Sequence, residues 1–201
     1  MFLNRSALIS ATGILLAGGK SSRMGKNKAF LEYNGVTLIE RSLAVLKNIF
    51  AEVIISGEEV TYGHLGVKTV ADKVKDQGPL AGLARGLQEA KYDLCFFAAC
   101  DMPYLDEHGI RFLYAFSADF DIVAPKSEKG VHPLHAFYHR RCLPKVETNL
   151  SLGKRRLLDL YPDCNVCYVG ERELEKNGLS SSIFANINTP EEWEEINITP
   201  Q

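Results

Sequence analysis

Apolar and β-branched residues form short runs that alternate along the chain with stretches of helical periodicity. The runs predict strands over residues 13–18, 52–56, 67–72, 93–100, 120–127, 131–140 and 164–170. Helices are predicted over residues 37–50, 78–90 and 106–117 and, in two pieces, over 142–161. Residues 184–196 predict a short strand and then a helix that Thr189 caps.

The alternation of strands and helices predicts an α/β fold. The run over residues 93–100 is apolar at nearly every position, so this strand needs cover on both faces, as strands of parallel sheets have. We therefore expect a single Rossmann-like, mostly parallel sheet with helices on both faces, in one domain over residues 1–201. Ligands of such sheets bind at the carboxyl ends of the strands. Three predicted loops leave those ends, at residues 18–28, 72–79 and 100–105.

The composition is that of an ordinary globular protein and narrows the classes of function. The chain has 201 residues, of which 46% are hydrophobic and 24% charged. A chain of this length can bury a sizeable hydrophobic core. A net charge of −2 provides no basic field for nucleic acid, so we expect no such partner. No apolar run approaches the about 20 residues of a membrane span. We expect a cytoplasmic protein with no membrane partner.

The five cysteines form no dense disulfide framework. Cys164 and Cys167 form a lone CxxC, and a strand there would direct the two thiols to opposite faces. A zinc or redox role for this motif lacks a second ligand pair or a helix start, so we expect structural thiols. Cys95 and Cys100 lie in an apolar run and are expected in the core.

The loop after the first predicted strand combines glycines with positive charge, which favours anion binding. Gly18 and Gly19 have no side chains, so their backbone N–H groups can approach a phosphate closely. Cationic residues follow at Lys20, Arg23, Lys26 and Lys28. The Walker spacing and the G-x-G-x-x-G spacing are both absent. A solvated surface loop is the alternative interpretation.

Asp101 ends the apolar run over residues 93–100, and Pro103 keeps that strand from continuing. A carboxylate at the carboxyl end of a strand, opposite a phosphate loop, is typical of a ligand for Mg²⁺ that bridges protein and triphosphate. We therefore expect Asp101 to be a metal ligand. A turn-forming aspartate is the alternative.

Six stretches of the sequence resemble molybdenum cofactor guanylyltransferases of the MobA type. They lie in the same order over nearly the whole chain and read LLAGGKSSRMGKNKAFL, GPLAGLARGL, CDMPYL, HPLHAFY, GKRRLLDL and NINTPEEW. The first stretch is shared with many nucleotidyltransferases, whereas GPLAG together with NINTPEEW is much more specific. The resemblance implies the nucleotide-diphospho-sugar transferase type of fold. Its nucleotide side would lie at residues 10–105 and its pterin side at residues 106–201.

The resemblance also implies a reaction. GTP and molybdopterin would be the substrates, and Mg²⁺ the cofactor. The terminal phosphate of molybdopterin would attack the α-phosphorus of GTP and release pyrophosphate. Molybdoenzyme maturation proteins are implied as further partners. The alternatives are transfer of CMP to molybdopterin, another nucleotidyl transfer on the same fold, and a non-catalytic nucleotide- or cofactor-binding role.

On the nucleotide side, the resemblance assigns roles to individual residues. It implies nucleotide binding by Leu16, Ala17, Gly18, Lys28, Ser56, Asp72 and Asp101, and Gly19 joins them through its N–H. The catalytic residues would be Arg23, Lys28 and Asp101, of which Asp101 would hold the metal. The chain departs from the family at two positions. Ser56 stands where an Asn is frequent, and Asn27 stands where an Asp usually precedes the loop lysine.

On the pterin side, the resemblance implies substrate contacts for His132, Arg155, Arg156, Asn186 and Asn188. Asn186 and Asn188 alternate on the predicted strand, which would turn both amides to the same side. Each residue has a simpler alternative. His132 would lie in an exposed loop, the two arginines on a solvated helix face, and the two asparagines in cap or loop contacts.

Overall fold

The structure is a computed structural model that describes residues 7–17, 27–71, 78–187, 189 and 191–194. Its strands are β1 (Ile9–Leu16), β2 (Glu32–Tyr33), β3 (Val36–Thr37), β4 (Phe50–Ser56), β5 (Lys68–Val70), β6 (Leu94–Ala99), β7 (Ile122–Ser127), β8 (Gly130–Val131), β9 (His135–His139) and β10 (Val166–Gly170). Its α-helices are α1 (Leu38–Ile49), α2 (Glu59–Tyr62), α3 (Pro79–Glu89), α4 (Glu107–Tyr114), α5 (Leu143–Ser151) and α6 (Glu171–Lys176). Short 3₁₀ helices occupy Lys28–Phe30, Gly63–Leu65, Arg140–Cys142, Leu157–Asp163 and Ser181–Phe184.

The main sheet is mixed but mostly parallel. Its strand order is β10-β7-β9-β6-β1-β4-β5, and β8 pairs with β7 beside this path. β1 is parallel to β4 and β6, β4 is parallel to β5, and β10 is parallel to β7. β9 runs antiparallel to β6 and β7. The mostly parallel α/β sheet predicted from the sequence is confirmed.

Two apolar cores cover the two faces of the sheet. Adjacent residues of β1 divide between them, because Leu15 packs into the core that contains α1 and α4, and Ile14 into the core that contains α3 and α5. Both side chains are fully buried. Burial of a side chain of this size contributes roughly 1.5–3 kcal/mol. Helices therefore stabilise both faces of the sheet, as predicted.

Helix α1 begins with a capping box. The Thr37 side chain accepts the N–H of Glu40, and the Glu40 carboxylate accepts the N–H of Thr37 (3.1 Å). The apolar face predicted for this helix is buried through Ile39, Leu43 and Leu46. Phe50 is the first residue of β4 rather than the end of the helix. No helix in the described part of the chain is long and apolar enough to cross a membrane.

Two predicted strands differ from the structure. The strand predicted over residues 131–140 is split into β8 and β9, because Pro133 lies in the turn between them and has no N–H for a ladder. The strand predicted after residue 184 is wrong, since residues 185–187 are irregular. Here the N–H of Ile187 donates instead to the carbonyl of Asp101 (3.0 Å). Asn186 therefore does not lie on a strand.

The cysteines are all free thiols. Cys95 is fully buried, whereas Cys100 is only partly buried. Cys164 packs against the core with α3 and α5, and Cys167 packs against the opposite core. The spacing of the CxxC motif thus separates its two thiols as predicted.

Candidate functional site

The carboxyl ends of three neighbouring strands form one edge of the sheet. Leu16 at the end of β1 lies between Ser56 at the end of β4 and Ala99 at the end of β6. Beyond the strands, the N–H of Ala17 donates to the carbonyl of Ser56 (2.9 Å), and the N–H of Cys100 donates to the carbonyl of Leu16 (3.1 Å). These hydrogen bonds fix the backbone just after β1 and just after β6.

Lys28 and Asp101 meet at this edge, although 73 positions separate them in the sequence. The ammonium Nζ of Lys28 lies 3.4 Å from Oδ2 of Asp101 and 2.6 Å from the carbonyl oxygen of Ile187. The N–H of Ile187 donates to the carbonyl of Asp101. The side chains of Lys28 and Asp101 are only 16% and 18% exposed, so water screens the pair weakly. The three residues join the beginning, the middle and the end of the chain.

The Asp101 carboxylate is poorly hydrated, and this decides its electrostatics. Burial raises the pKa of Asp101 above 3.8, and attraction to the Lys28 ammonium with its hydrogen bond offsets only part of the increase. One ammonium 3.4 Å away therefore does not fully compensate the buried charge. A second cation beside the carboxylate is favoured, because it stabilises the ionised form.

The residues that flank segment 18–26, Ala17 and Asn27, are held by one side chain. The hydroxyl of Tyr62 donates to the carbonyl of Ala17 (2.7 Å) and accepts from Nδ2 of Asn27 (3.0 Å). Oδ1 of Asn27 accepts the N–H of Ala29 (3.1 Å) and so caps the next 3₁₀ turn. An aspartate at position 27 has no side-chain N–H for Tyr62. We call the contacts of Ala17, Asn27 and Tyr62 the Tyr62 clamp; sequence reasoning missed the tyrosine.

Ser56 and Leu16 lie beneath the first turns of α3. A Cβ at Gly82 would lie 2.5 Å from Cδ2 of Leu16 and 3.3 Å from Oγ of Ser56, so a glycine permits the close approach of helix and strand ends. Ser56 is only 3% exposed. Its contact with a nucleotide stays a prediction.

Arg155 lies against the N-terminus of α3. Its carbonyl accepts the N–H of Leu80 (3.2 Å). Gly78 has a φ of +73°, and a Cβ there would lie 2.9 Å from the same carbonyl oxygen. The Arg155 guanidinium donates to the carbonyl of Leu150 (3.3 Å). Arg156 is the more exposed of the two arginines.

His132 is linked to this edge through the segment 184–187. Its imidazole stacks on the ring of Phe184, with centroids 4.6 Å apart and an interplanar angle of 25°. Nε2 of His132 lies 2.7 Å from Oγ of Ser127. Burial lowers the pKa of His132 from its usual value, which favours the neutral ring. Three residues after Phe184, Ile187 contacts Asp101.

Several predicted site residues cannot be placed on this edge. Those outside the described residues are Gly18, Gly19, Arg23, Asp72 and Asn188. Their roles stay predictions. Asn186 is described, is partly buried, and directly precedes Ile187. Its predicted substrate contact is likewise untested by the geometry.

A metal at Asp101 would need further ligands from a substrate. Within residues 7–17, 27–71, 78–187, 189 and 191–194, no group of three or more His, Cys, Asp or Glu side chains is arranged to hold a metal ion. Mg²⁺ is commonly bound through one or two carboxylates together with substrate phosphates and waters. The hard oxygen donors and the raised pKa of Asp101 fit an ion that arrives with phosphates.

Known proteins resemble this chain over nearly its whole length. The family described as MobA-like NTP transferase domain matches residues 13–196. A relative from Pelotomaculum thermopropionicum, named probable molybdenum cofactor guanylyltransferase, is 38% identical over 184 residues, which cover 91% of this chain and 90% of the relative. Another from Desulfosudis oleivorans, named molybdenum cofactor guanylyltransferase, is 34% identical over 188 residues and covers 92% and 93%.

Solved structures share the fold. Molybdopterin-guanine dinucleotide biosynthesis protein A from Archaeoglobus fulgidus superposes with a TM-score of 0.81 at 25% identity, over 93% of this chain and 97% of that one. A 4-diphosphocytidyl-2C-methyl-D-erythritol synthase from Anaerococcus prevotii has a TM-score of 0.70 at 12% identity, over 94% and 95%. At that identity the second similarity concerns the fold alone.

Proposed function

Because the chain belongs to the MobA-like NTP transferase domain family, we propose that it transfers GMP from GTP to the phosphate of molybdopterin. The products are molybdopterin guanine dinucleotide and pyrophosphate. The observation that carries the proposal is the meeting of Lys28 and Asp101, 3.4 Å apart, at the carboxyl edge of the sheet. A cationic donor beside a metal-type carboxylate is what the transfer of a nucleotidyl group requires.

The reaction depends on charge neutralisation and alignment rather than on a general base. The attacking phosphate of molybdopterin is already anionic at neutral pH, so its oxygen can attack without a general base. Attack on the α-phosphorus increases the charge on the leaving pyrophosphate. The Lys28 ammonium, oriented by the Ile187 carbonyl, donates to the phosphate oxygens. Arg23 has the same role from the segment 18–26, which lies outside the described residues.

The strand ends hold the nucleotide. The backbone of Leu16 and Ala17 is fixed by its hydrogen bonds to Cys100 and Ser56, so its groups keep one orientation. We assign Gly18 and Gly19, which lie outside the described residues, to the phosphates through their backbone N–H groups. Ser56 and Asp72 complete the proposed set of nucleotide ligands.

Asp101 holds Mg²⁺ in this proposal. The bound ion would neutralise charge on the triphosphate and connect it to the protein. The chain contributes a buried carboxyl group whose pKa is raised by burial and whose ionised form a further cation stabilises.

Molybdopterin binds on the other side of Asp101. We assign its contacts to His132, Arg155, Arg156, Asn186 and Asn188. The His132 ring stacks on Phe184, and burial lowers its pKa, which favours a neutral hydrogen-bonding group at this position. Arg156 is the more exposed of the two arginines, and the Arg155 guanidinium donates to the Leu150 carbonyl, so we expect Arg156 to reach the pterin phosphate first. The contact with molybdoenzyme maturation proteins and the cytoplasmic location belong to the same proposal.

A competition assay tests the function. The purified protein is incubated with molybdopterin, Mg²⁺ and equal amounts of GTP and CTP, and the nucleotides are separated by chromatography. We expect the guanine dinucleotide and pyrophosphate in equal amounts, with CTP unchanged. A cytosine dinucleotide would support CMP transfer, which the relatives do not favour. GTP binding without product would indicate a non-catalytic protein.

Two variants sharpen this assay. Asp101→Asn is expected to lower the turnover rate by about two orders of magnitude. This is the usual size of effect when one electrostatic contact to a transition state is lost. Lys47→Ala changes an exposed lysine of α1 and is the matched control, with activity equal to the unaltered protein. Equal activity of both variants would contradict the site.

A further inference from the structure

Two cysteines outside the proposed active site lie close together. Cys142 ends a 3₁₀ turn just before α5 and is fully buried, and Cys164 lies just before β10 and is partly buried. Their Sγ atoms are 3.9 Å apart, although 22 positions separate them in the sequence. Both are free thiols. This pair differs from the CxxC motif, whose second cysteine packs on the other face of the sheet.

One aspartate holds the two cysteines in place. The carboxylate of Asp121 accepts from Nε of Arg141, the neighbour of Cys142, and from the N–H of Asn165, the neighbour of Cys164 (3.0 Å). The Cys142 thiol donates to the Asp121 carbonyl (3.4 Å). The proximity of the thiols therefore follows from a fixed backbone arrangement rather than from two freely rotating side chains.

The two thiols differ in access and in acidity. Cys164 is the more exposed, and its hydrogen-bond contact with Cys142 lowers its pKa, with a further contribution from the nearby Lys145 ammonium. The hydrogen bond to Cys164 and burial raise the pKa of Cys142. The thiolate is the nucleophile in thiol–disulfide exchange. Cys164 is thus suited to react first with a small molecule, and Cys142 to react second.

We propose that Cys142 and Cys164 form a reversible thiol–disulfide site. The Cys164 thiolate attacks one sulfur of a low-molecular-weight disulfide, and the first small thiolate leaves. The Cys142 thiol then gives up its proton and attacks Sγ of Cys164, which expels the second small thiolate. In total, the small disulfide is reduced to two thiols, and the two protein thiols are oxidised to one disulfide. The sulfur atoms, 3.9 Å apart in the reduced protein, must approach to about 2.05 Å for the disulfide to form.

The disulfide would close a ring that includes Arg155 and Arg156. Within this ring, α5 packs against α3, and the Arg155 carbonyl holds the first turn of α3. Oxidation therefore constrains the segment 142–164, which carries two of the proposed substrate contacts. This inference concerns thiol chemistry and stands whether or not the protein transfers GMP.

Mass spectrometry tests the site directly. The full-length protein is incubated with oxidised glutathione, its thiols are alkylated, and the peptides are mapped. We expect a mass loss of about 2 Da before alkylation, a cross-linked peptide pair with Cys142 and Cys164, and reversal by dithiothreitol. The ring closure is expected to raise Tm by about 5–10 °C.

Three variants distinguish the outcomes. Cys164→Ser and Cys142→Ser should each abolish the cross-link. If Cys142→Ser does not fold because Cys142 is buried, Cys164→Ser still provides the test. Cys167→Ser, a partly buried cysteine on the opposite core, should keep it. A disulfide between other cysteines, glutathione that remains on Cys164, or an unchanged mass would each overturn the proposal.

Discussion

Replacing Tyr62 with Phe removes one oxygen atom and opens the Tyr62 clamp. The Ala17 carbonyl loses a donor at 2.7 Å, and Nδ2 of Asn27 loses an acceptor at 3.0 Å. The ring of Tyr62, which stacks on Phe30, is unchanged. The substitution therefore separates the anchoring of segment 18–26 from the packing of the tyrosine ring.

The size of the effect follows from these two contacts. A hydrogen bond contributes about 0.5–1.5 kcal/mol net, and a buried partner left unsatisfied costs about 1–3 kcal/mol. Tyr62 is only 3% exposed, so water does not replace its hydroxyl. We expect a loss of about 2 kcal/mol in the anchoring of the segment. Since 1.4 kcal/mol is tenfold in affinity, Kd for GTP should rise about 10- to 30-fold.

Calorimetric titration with GTP measures this loss, and Tyr138→Phe is the matched control. The Tyr138 hydroxyl donates to the Pro133 carbonyl (2.7 Å) and lies 3.1 Å from the Tyr161 hydroxyl. Both substitutions should lower Tm, but only Tyr62→Phe should weaken GTP binding. If Tyr62→Phe lowers Tm and binds GTP as tightly as the unaltered protein, the clamp does not position the phosphate-binding segment.

Three further substitutions test the electrostatics and packing. Burial raises the pKa of Asp101, so ionisation of this group lowers the stability of the folded protein as pH rises through the folded pKa. Asp101→Asn should therefore raise Tm at pH 7, and an equal or lower Tm would contradict the buried charge. Burial raises the pKa of Asp121, but hydrogen bonds from Asn165, Lys145 and Arg141 lower it to about 2, so its stabilisation is lost as pH falls from 3.8 toward 2. Urea titration of Asp121→Asn should give a loss of about 1–2 kcal/mol at pH 7, after allowance for solvent screening, and almost none at pH 2; equal losses would refute this. Gly82→Ala should lower the free energy of unfolding by about 1–3 kcal/mol, because the added Cβ collides with Leu16. Gly170→Ala, which has open space around it, should lower this free energy little in the same titration, and equal losses would count against the close packing of α3.

The layers of the fold could be predicted from the sequence because the hydrophobic pattern of the longer strands and helices is strong. The run over residues 93–100 is apolar at every position after Asp93, and the corresponding strand β6 lies between β1 and β9 with helices on both faces. Helix α1 has both an apolar face and a capping threonine. Helices α2 and α6 were missed, since elements of 4 and 6 residues provide too few positions for a period.

The failed strand at Asn186 shows where local pattern is insufficient. Alternating apolar and polar residues predict a strand, but a strand also needs a neighbour with free backbone groups. Both sides of β6 are already paired with β1 and β9. The segment contacts the Asp101 loop through the N–H of Ile187.

The candidate site was only partly predictable for a related reason. Glycines, lysines and an aspartate at strand ends are visible in one dimension, and they identified Lys28 and Asp101. The Tyr62 clamp is not visible, because Tyr62 contacts residues 45 and 35 positions away with no motif around it. In the sequence, Asn27 is visible only as a departure from the Asp usual in the family, whereas in the structure its amide N–H donates to the Tyr62 hydroxyl. Cys164 was considered with Cys167, but its spatial neighbour is Cys142.

The central claim is that Lys28 and Asp101 act on the same triphosphate, and the dependence of GTP binding on Mg²⁺ tests it most directly. Titration calorimetry compares the unaltered protein, Asp101→Asn and Lys28→Met, each with and without Mg²⁺. We predict that Mg²⁺ strengthens binding to the unaltered protein by about tenfold, that Asp101→Asn loses this increment, and that Lys28→Met binds more weakly in both conditions. An undiminished Mg²⁺ increment in Asp101→Asn would contradict the account.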